Sequence, residues 1–135
     1  MNTLWFKGKI ELINSHDELL LIELNVKHTK IIAIIIGRPN DYPYLEIGNE
    51  IAILFKENEV TISIDNALEI STQNQLTCTV DSILTGKLLS QVNLNFIDFT
   101  LSSIITTRSV QNLNLNPQDK VTALIKANEI TLSKC

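Results

Sequence analysis

The sequence predicts an all-β fold made of two small five-stranded barrels in tandem, each with a short helical turn. Three observations predict it. Short runs rich in β-branched residues recur along the chain, an internal repeat relates its two halves, and no long amphipathic helix is apparent. Closing each sheet into a barrel removes the exposed strand edges that such apolar strands would otherwise present to solvent.

The repeat spans the whole chain at an offset of 70 residues. Residues 51–63 read IAILFKENEVTIS and residues 121–133 read VTALIKANEITLS, with the same lysine, asparagine, glutamate, threonine and serine in the same order. Aligning residues 1–65 with residues 71–135 needs no gap and gives about 14 identities, with apolar positions matched throughout. We therefore predict two domains, residues 1–65 and residues 66–135.

Each copy contains strand-like segments in the same order. They are LLIELNV (20–26) and KIIAIII (30–36) in the first copy, and QVNLNF (91–96) and TLSSIIT (100–106) in the second. A turn-rich connection then precedes the fourth strand, RPNDYPYLEIGNE (38–50) or RSVQNLNLNPQDK (108–120), and we expect a short helical turn there. Five short strands with this spacing favour an OB-like barrel.

Composition and charge exclude several classes of protein. The 44% hydrophobic and 19% charged content indicates a packed globule, and the net charge of −4 opposes nucleic-acid binding. The apolar run IIAIII (31–36) is far too short to cross a bilayer. The N-terminus lacks the pattern of a secretion signal, so we expect a cytoplasmic protein without a membrane or nucleic-acid partner.

No catalytic or metal-binding arrangement is visible, so we do not expect an enzyme. His16 and His28 lack partners at metal-ligand spacing, and Cys78 is expected to be a small core residue with a reduced thiol. Asp17 and Glu18 fit the tip of a hairpin. The aromatic residues Trp5, Tyr42 and Tyr44 are expected in the core or at an interface.

Residues 70–133 resemble the molybdate-binding Mop or TOBE domain. The resemblance is carried by ISTQNQLTCTVDSI, LSSIITTRSVQNLNL and VTALIKANEITLS. Residues 4–64 resemble the same domain more faintly, through FKGKIELI and AILFKENEVTI. The chain is thus similar to a tandem Mop protein, or molbindin. The resemblance implies a bound molybdate or tungstate, and a homo-oligomer, dimer or trimer, with sites between subunits.

The resemblance also implies which residues hold the oxyanion. They are Ser71, Gln73 and Asn74 in the opening segment, Thr106 and Ser109 after the third strand, and Lys126 with the backbone of Ala127. In the first copy, Lys56 corresponds to Lys126. Arg38 either binds the anion or forms a salt bridge to the other copy or another chain. Hydroxyls, amides and one lysine are donors that suit a tetrahedral dianion.

This sequence departs from the family pattern at several positions. Gln73 stands where the family has arginine, which removes a permanent charge, and Cys78 and Asn128 replace a glycine and a threonine. The first copy opens with residues 1–3 in place of the serine segment, and residues 37–39 replace Thr107, Arg108 and Ser109. We therefore expect the second copy to bind more strongly, with Lys126→Ala more damaging than Lys56→Ala.

The function that these features favour is molybdate or tungstate binding for storage or homeostasis. The alternative is a degenerate Mop pair that has lost strong binding and serves as an interaction module of a molybdate transporter or regulator. A single-stranded nucleic-acid binder on a barrel scaffold is a weaker hypothesis, because the chain is acidic and has 5% aromatic residues.

Overall fold

The computed structural model describes residues 3–66 and 69–135, and strands dominate this part of the chain. The first copy contributes β1 (Thr3–His16), β2 (Leu19–Val26), β3 (Thr29–Ile36), β4 (Glu50–Lys56) and β5 (Thr61–Ser63). The second contributes β6 (Asn74–Thr85), β7 (Leu89–Phe96), β8 (Phe99–Thr106), β9 (Lys120–Ile125) and β10 (Thr131–Lys134). The predicted all-β fold is confirmed.

Short helical segments lie where the turn-rich connections were predicted. The first copy has a 3-10 turn at Pro39–Asp41, and the second has a helix, α1, at Thr107–Asn112. Two further 3-10 turns, Glu57–Glu59 and Ala127–Glu129, join the fourth strand of each copy to its fifth. None of these helices is long or apolar enough to span a membrane.

The fifth strands are exchanged between the two copies. One five-stranded sheet has the order β10-β4-β1-β2-β3 and the other has the order β5-β9-β6-β7-β8. Ser63 of β5 lies opposite Thr122 of β9, whereas Ser133 of β10 lies opposite Ala52 of β4. Each sheet therefore takes its closing strand from the other half of the sequence.

The chain accordingly forms two compact units whose limits differ from those of the repeat. The N-terminal unit consists of residues 5–55 and 126–135, and the central unit consists mainly of residues 56–125. The boundaries predicted from the repeat, 1–65 and 66–135, leave each fifth strand with the copy that encodes it. The structure divides the chain at the two lysines instead, because the segment after each lysine packs in the other unit.

Tight turns join the first two strand pairs of the N-terminal unit. Asp17 and Glu18, between β1 and β2, have φ angles of 47° and 64°. Lys27 and His28, between β2 and β3, have φ angles of 46° and 74°. Two central residues with positive φ are typical of the type I′ turn, whose twist matches that of the flanking strands. The prediction that Asp17 and Glu18 form a hairpin tip is confirmed.

The repeat is visible in the backbone hydrogen bonds as well as in the sequence. Ile10 accepts the N–H of Gly48 at 2.8 Å and donates to the carbonyl of Asn49 at 3.0 Å. Val80, 70 residues later, makes the same two bonds with residues 118 and 119, at 2.7 and 2.8 Å. A register shift follows each of these two strand residues. Both copies therefore fold to the same local pattern.

The interiors of the two units differ in polarity. The central unit buries the polar side chains of Ser90, Ser102, Ser103, Thr107 and Thr122. The corresponding first-copy residues are Leu20, Ile32, Ala33, Gly37 and Ala52, all of them nonpolar. Burying hydroxyl groups is tolerated only when they are hydrogen-bonded, so the central unit depends on its polar contacts more than the N-terminal unit does.

Two expectations about individual core residues have different outcomes. Cys78 is 2% exposed, as predicted for a core thiol, and burial raises its pKa to about 12. Trp5 is 57% exposed, so it does not lie in the core of its unit. Its position on β1 leaves the indole on the solvent side of the strand, because successive side chains alternate between the two faces.

Replacing Thr107 by valine should destabilise the central unit by about 1–3 kcal/mol. Thr107 Oγ1 donates to the carbonyl of Gly86 at 2.8 Å and lies 2.8 Å from Ser90 Oγ. Valine fills similar space but cannot hydrogen-bond to the buried hydroxyl of Ser90 or to the carbonyl of Gly86. Urea denaturation measures the loss. Thr100→Val, on the exposed side of β8, is the matched control, and an equal effect of both substitutions would contradict the assignment.

A thiol reagent at pH 8 should modify one cysteine per native chain. Cys135 is exposed, whereas the Cys78 thiol has a pKa raised to about 12 and stays protonated as well as buried. Labelling followed by mass spectrometry should place the fast modification on Cys135, and the second modification should require denaturant. The Cys135→Ser variant is the control, and rapid labelling of that variant would show that Cys78 is accessible.

Candidate functional site

The strand exchange divides the predicted oxyanion-binding residues between the two units. The central unit contains Lys56, Ser71, Gln73, Asn74, Thr106 and Ser109. The N-terminal unit contains Arg38, Lys126 and Ala127. The sequence groups Lys126 with the donors of the second copy. Lys56 is the last residue of β4 in the N-terminal sheet, and the segment that follows it enters the central unit. Lys126 directly follows β9 of the central sheet, and the segment that it begins enters the N-terminal unit.

Thr106 and Ser109 form one hydrogen-bonded pair at the start of α1. Thr106 Oγ1 accepts the backbone N–H of Ser109 at 3.0 Å and donates to Ser109 Oγ at 2.8 Å. Threonine is favoured at this N-cap position because it satisfies an amide that the helix itself leaves unpaired. Since the Ser109 hydroxyl accepts from Thr106, its own proton remains to be donated to a further acceptor. Ser109 is thus a suitable donor to an anion.

Lys56 is the exposed last residue of β4 and leads directly into the 3-10 turn Glu57–Glu59. Its backbone N–H donates to Glu59 Oε1 at 3.3 Å. Glu57 points inward, is 5% exposed, and accepts a hydrogen bond from Ser102 Oγ at 2.7 Å. The buried glutamate anchors the turn, while the side chain of Lys56 stays in solvent, where it can meet an anion.

Lys126 has the same local surroundings in the N-terminal unit. It is exposed, and the 3-10 turn Ala127–Glu129 follows it. Its carbonyl accepts the N–H of Glu129 at 3.0 Å, and the turn packs against β3. The two lysines therefore differ less in local structure than in the unit that each of them joins.

The opening segment of the second copy presents two of its three predicted side chains to solvent. Ser71 and Gln73 are exposed and precede β6. Asn74, the first residue of β6, is wholly buried and lies opposite Ile125 of β9. In this arrangement an anion arriving from solvent can meet Ser71 and Gln73 but not Asn74. The corresponding start of the first copy, at Met1 and Asn2, lies outside the described residues.

Arg38 is engaged by a carboxylate of its own copy. Its Nη2 lies 2.6 Å from Glu18 Oε1, and both side chains are largely exposed. This salt bridge lies within one copy, whereas the sequence predicted one to the other copy or to another chain. An open groove of about 790 Å³ lies beside this pair, lined by Ser15, His16, Asp17, Glu18, Arg38, Pro39 and Asn40. The two acidic residues oppose the approach of an anion to this groove.

A second open groove, of about 480 Å³, lies in the central unit. Its lining residues are Glu57, Leu84, Thr85, Gly86, Leu89, Ser90, Gln91 and Ile104. The formal charge in this lining comes from the carboxylate of Glu57, which already accepts from Ser102. The mixture of apolar side chains with an acidic group makes this groove a poor site for a dianion.

Sequence analysis missed the buried polar group of the central unit. Glu57 accepts from Ser102, and Ser103 Oγ donates to the carbonyl of Val60 at 2.5 Å. The aligned repeat contains the signal that would have found them. Each of these polar residues stands where the other copy has a nonpolar one, namely Ala127, Ile32 and Ala33. A polar side chain at a position whose repeat partner is apolar points to a specific contact.

The described residues offer no site for a metal cation. Among residues 3–66 and 69–135, no group of three or more His, Cys, Asp or Glu side chains is placed to hold a metal ion. Oxyanion binding requires the opposite arrangement, because hydrogen-bond donors must converge and acceptors must be kept away.

Comparisons with known proteins concern the domain family and the fold of the chain. Residues 70–132 match the model of the TOBE domain. The solved structure of ModG, described as a cytoplasmic molybdate-binding protein with molybdate bound, is 24% identical to this chain, with a TM-score of 0.89. The match covers 99% of this chain and 96% of ModG, so the two proteins share one fold from end to end. The prediction of two OB-like five-stranded domains is thereby confirmed.

A second solved structure, a molybdate-binding protein from Sporomusa ovata, is 40% identical to this chain. The match covers 44% of this chain and 90% of that protein, with a TM-score of 0.43. No curated protein matches the sequence. The prediction of a binding protein rather than an enzyme agrees with ModG. Residues 70–132 therefore belong to the TOBE domain family, and the whole chain shares the two-domain fold of ModG.

Proposed function

We propose that this protein binds molybdate in the cytoplasm and serves to store or buffer it, with tungstate as a second ligand. The observation that carries the proposal is the TOBE match within a chain that shares its whole fold with ModG, a cytoplasmic molybdate-binding protein. The donors described above supply a physical reason why such a fold, with these residues, suits an oxyanion.

The central unit is the better candidate for the stronger site. It joins the exposed Lys56 to Ser71, Gln73 and the hydroxyl pair of Thr106 and Ser109. Molybdate and tungstate are tetrahedral dianions, so they need donors that converge from several directions. Hydroxyl and amide groups supply direction, and the ammonium of Lys56 supplies a charge-assisted hydrogen bond.

The overall charge of the chain favours a site shared between several subunits. A net charge of −4 opposes a dianion at long range, so a few local donors must overcome the field of the whole protein. Donors from neighbouring chains would help, and we propose a homo-oligomer, dimer or trimer, with sites completed between subunits. Large apolar side chains exposed on the chain are consistent with burial in such contacts, among them Trp5, Ile36, Ile47 and Leu88.

The interaction-module hypothesis remains the second candidate because specific observations favour it. Gln73 replaces the permanent charge of an arginine, Arg38 is neutralised by Glu18, and Asn74 is buried. Each of these features reduces the donors available to an anion. In that case the protein would act as an accessory partner of a molybdate transporter or regulator without strong ligand binding.

Elemental analysis after incubation with molybdate and gel filtration should find molybdenum at a fixed ratio per chain, because convergent donors hold the dianion through the column. Light scattering on the same column gives the mass of the assembly and therefore the number of sites per oligomer. A parallel incubation with tungstate tests the second ligand, and one with sulfate is the control for unspecific retention. Absence of molybdenum and tungstate from an intact oligomer would contradict storage and favour the interaction module.

Lys56→Ala should weaken molybdate binding by about 10- to 100-fold, which is the value of one charge-assisted hydrogen bond. Lys126→Ala should weaken it less, because the exchange places Lys126 with Arg38 rather than with Thr106 and Ser109. This ranking reverses the one expected from the sequence alone. Equilibrium dialysis measures both affinities.

Lys120→Ala is the matched control for these two variants. Lys120 is an exposed lysine of the central unit, at the start of β9 and thus at the opposite end of that strand from Ile125. The Lys120→Ala substitution removes the same charge as Lys56→Ala and leaves the proposed donors to the anion unchanged. A loss of affinity equal to that of Lys56→Ala would show that net charge, and not a bond from Lys56, controls binding.

A further inference from the structure

Two segments of nearly the same sequence complete the two sheets, and we call residues 56–63 and 126–133 the closing segments. Residues 56–63 and 126–133 share lysine, asparagine, glutamate, threonine and serine at matching positions. Their strands pair with β9 and β4 in equivalent registers, Ser63 opposite Thr122 and Ser133 opposite Ala52. Backbone pairing therefore gives no reason why each segment joins the unit of the other copy.

The segments do differ at the first residue of the 3-10 turn, which is Glu57 in one and Ala127 in the other. Glu57 packs against β8, where its carboxylate accepts from Ser102 Oγ at 2.7 Å. Ser103, the next residue of β8, donates to the carbonyl of Val60 at 2.5 Å, at the end of the same turn. The surface that receives residues 57–60 is thus polar, and it donates two hydrogen bonds.

The corresponding surface of the N-terminal unit is apolar. The turn Ala127–Glu129 packs against β3, where Ile32 and Ala33 occupy the positions of Ser102 and Ser103. Both are buried, at 6% and 0% exposure. The side chains of Ile32 and Ala33 have no hydroxyl to donate to a carboxylate, and the methyl side chain of Ala127 needs no hydrogen-bond donor.

We propose that this difference in polarity decides which closing segment joins which unit. In the observed arrangement the carboxylate of Glu57 accepts from Ser102 and the carbonyl of Val60 accepts from Ser103, whereas the turn that begins at Ala127 packs against the strand that contains Ile32 and Ala33. If each copy closed its own sheet, Glu57 would be buried against Ile32 and Ala33 without a donor. Ser102 would face Ala127 and lose its carboxylate acceptor. Burying an unpaired charge is far more costly than losing a neutral contact, so Glu57 is the dominant discriminator.

The pairing has a consequence for the binding site, which rests on the proposed function. Because Glu57 directs its segment to the central unit, the backbone that follows Lys56 enters the unit that contains Thr106 and Ser109. Glu57 would then be a positioning residue for Lys56 without contacting the anion. The partner choice itself is independent of any ligand and can be tested without one.

The test uses cysteine pairs in the full-length chain, in a Cys135→Ser background. Ser63→Cys with Thr122→Cys reports the exchanged arrangement, since these residues are directly opposite. Ser63→Cys with Ala52→Cys reports self-closure, because the repeat would place Ser63 where Ser133 lies now. A short thiol-bridging reagent links opposite positions, whose Cβ atoms are about 4.5–5.5 Å apart, and peptide mapping identifies the link. With the native residues at 57 and 127, only the first pair should be linked.

Exchanging the discriminating residues, Glu57→Ala together with Ala127→Glu, keeps composition and charge constant. The link should then move from the 63–122 pair to the 63–52 pair, because the glutamate now belongs to the segment encoded with Ser102 and Ser103. A folded variant that still links only positions 63 and 122 would overturn the proposal.

A second variant covers the case in which this exchange prevents folding. It adds Ile32→Ser, Ala33→Ser, Ser102→Ile and Ser103→Ala, so that both receiving surfaces are exchanged as well. This variant should fold and recover the 63–122 link, because the glutamate at position 127 again meets a serine surface. Failure of the second variant to restore folding or the link would overturn the proposal.

Discussion

Closure of each five-stranded sheet by a strand from the other copy is the constraint on which the rest of this structure depends. The closing strands are short, Thr61–Ser63 in one sheet and Thr131–Lys134 in the other. Without them, β9 and β4 would each present an open edge, which soluble proteins avoid. The exchange ties the two copies into one cooperative chain, because neither half of the sequence contains all five strands of a unit. Small barrels bury little surface, so this mutual completion also supports their stability.

The two copies of one fold differ in the polarity of their interiors. The central unit contains a group of buried hydroxyls, and those of Ser90, Ser103 and Thr107 are hydrogen-bonded. The N-terminal unit has apolar side chains at the same places. In a medium of low dielectric constant, a satisfied polar contact specifies one arrangement and penalises the alternatives. The difference between the interiors thus gives the closing segments distinct destinations even though their sequences are nearly the same.

The candidate site follows from the same arrangement. Lys56 is the last residue of one fourth strand, Lys126 directly follows the other, and each leads into a 3-10 turn. Local structure therefore does not indicate which lysine is more important for binding. The residues that share a unit with each lysine do differ. Lys56 shares a unit with the capped hydroxyl pair of α1, whereas Lys126 shares one with an arginine that already has a carboxylate partner. In the proposed function, the two copies therefore contribute unequally to the site.

The sequence by itself determined the all-β fold, the repeat, the strands such as Leu19–Val26 and Thr29–Ile36 to within a residue or two, and the donor chemistry of the site. These features depend on neighbouring residues, through side-chain alternation, turn chemistry and motif spacing. Only the tertiary structure decided which fifth strand closes which sheet, and hence which lysine joins Thr106 and Ser109. That choice depends on contacts such as Glu57 with Ser102, 45 residues apart, so the residues of a closing segment do not by themselves show which sheet receives it.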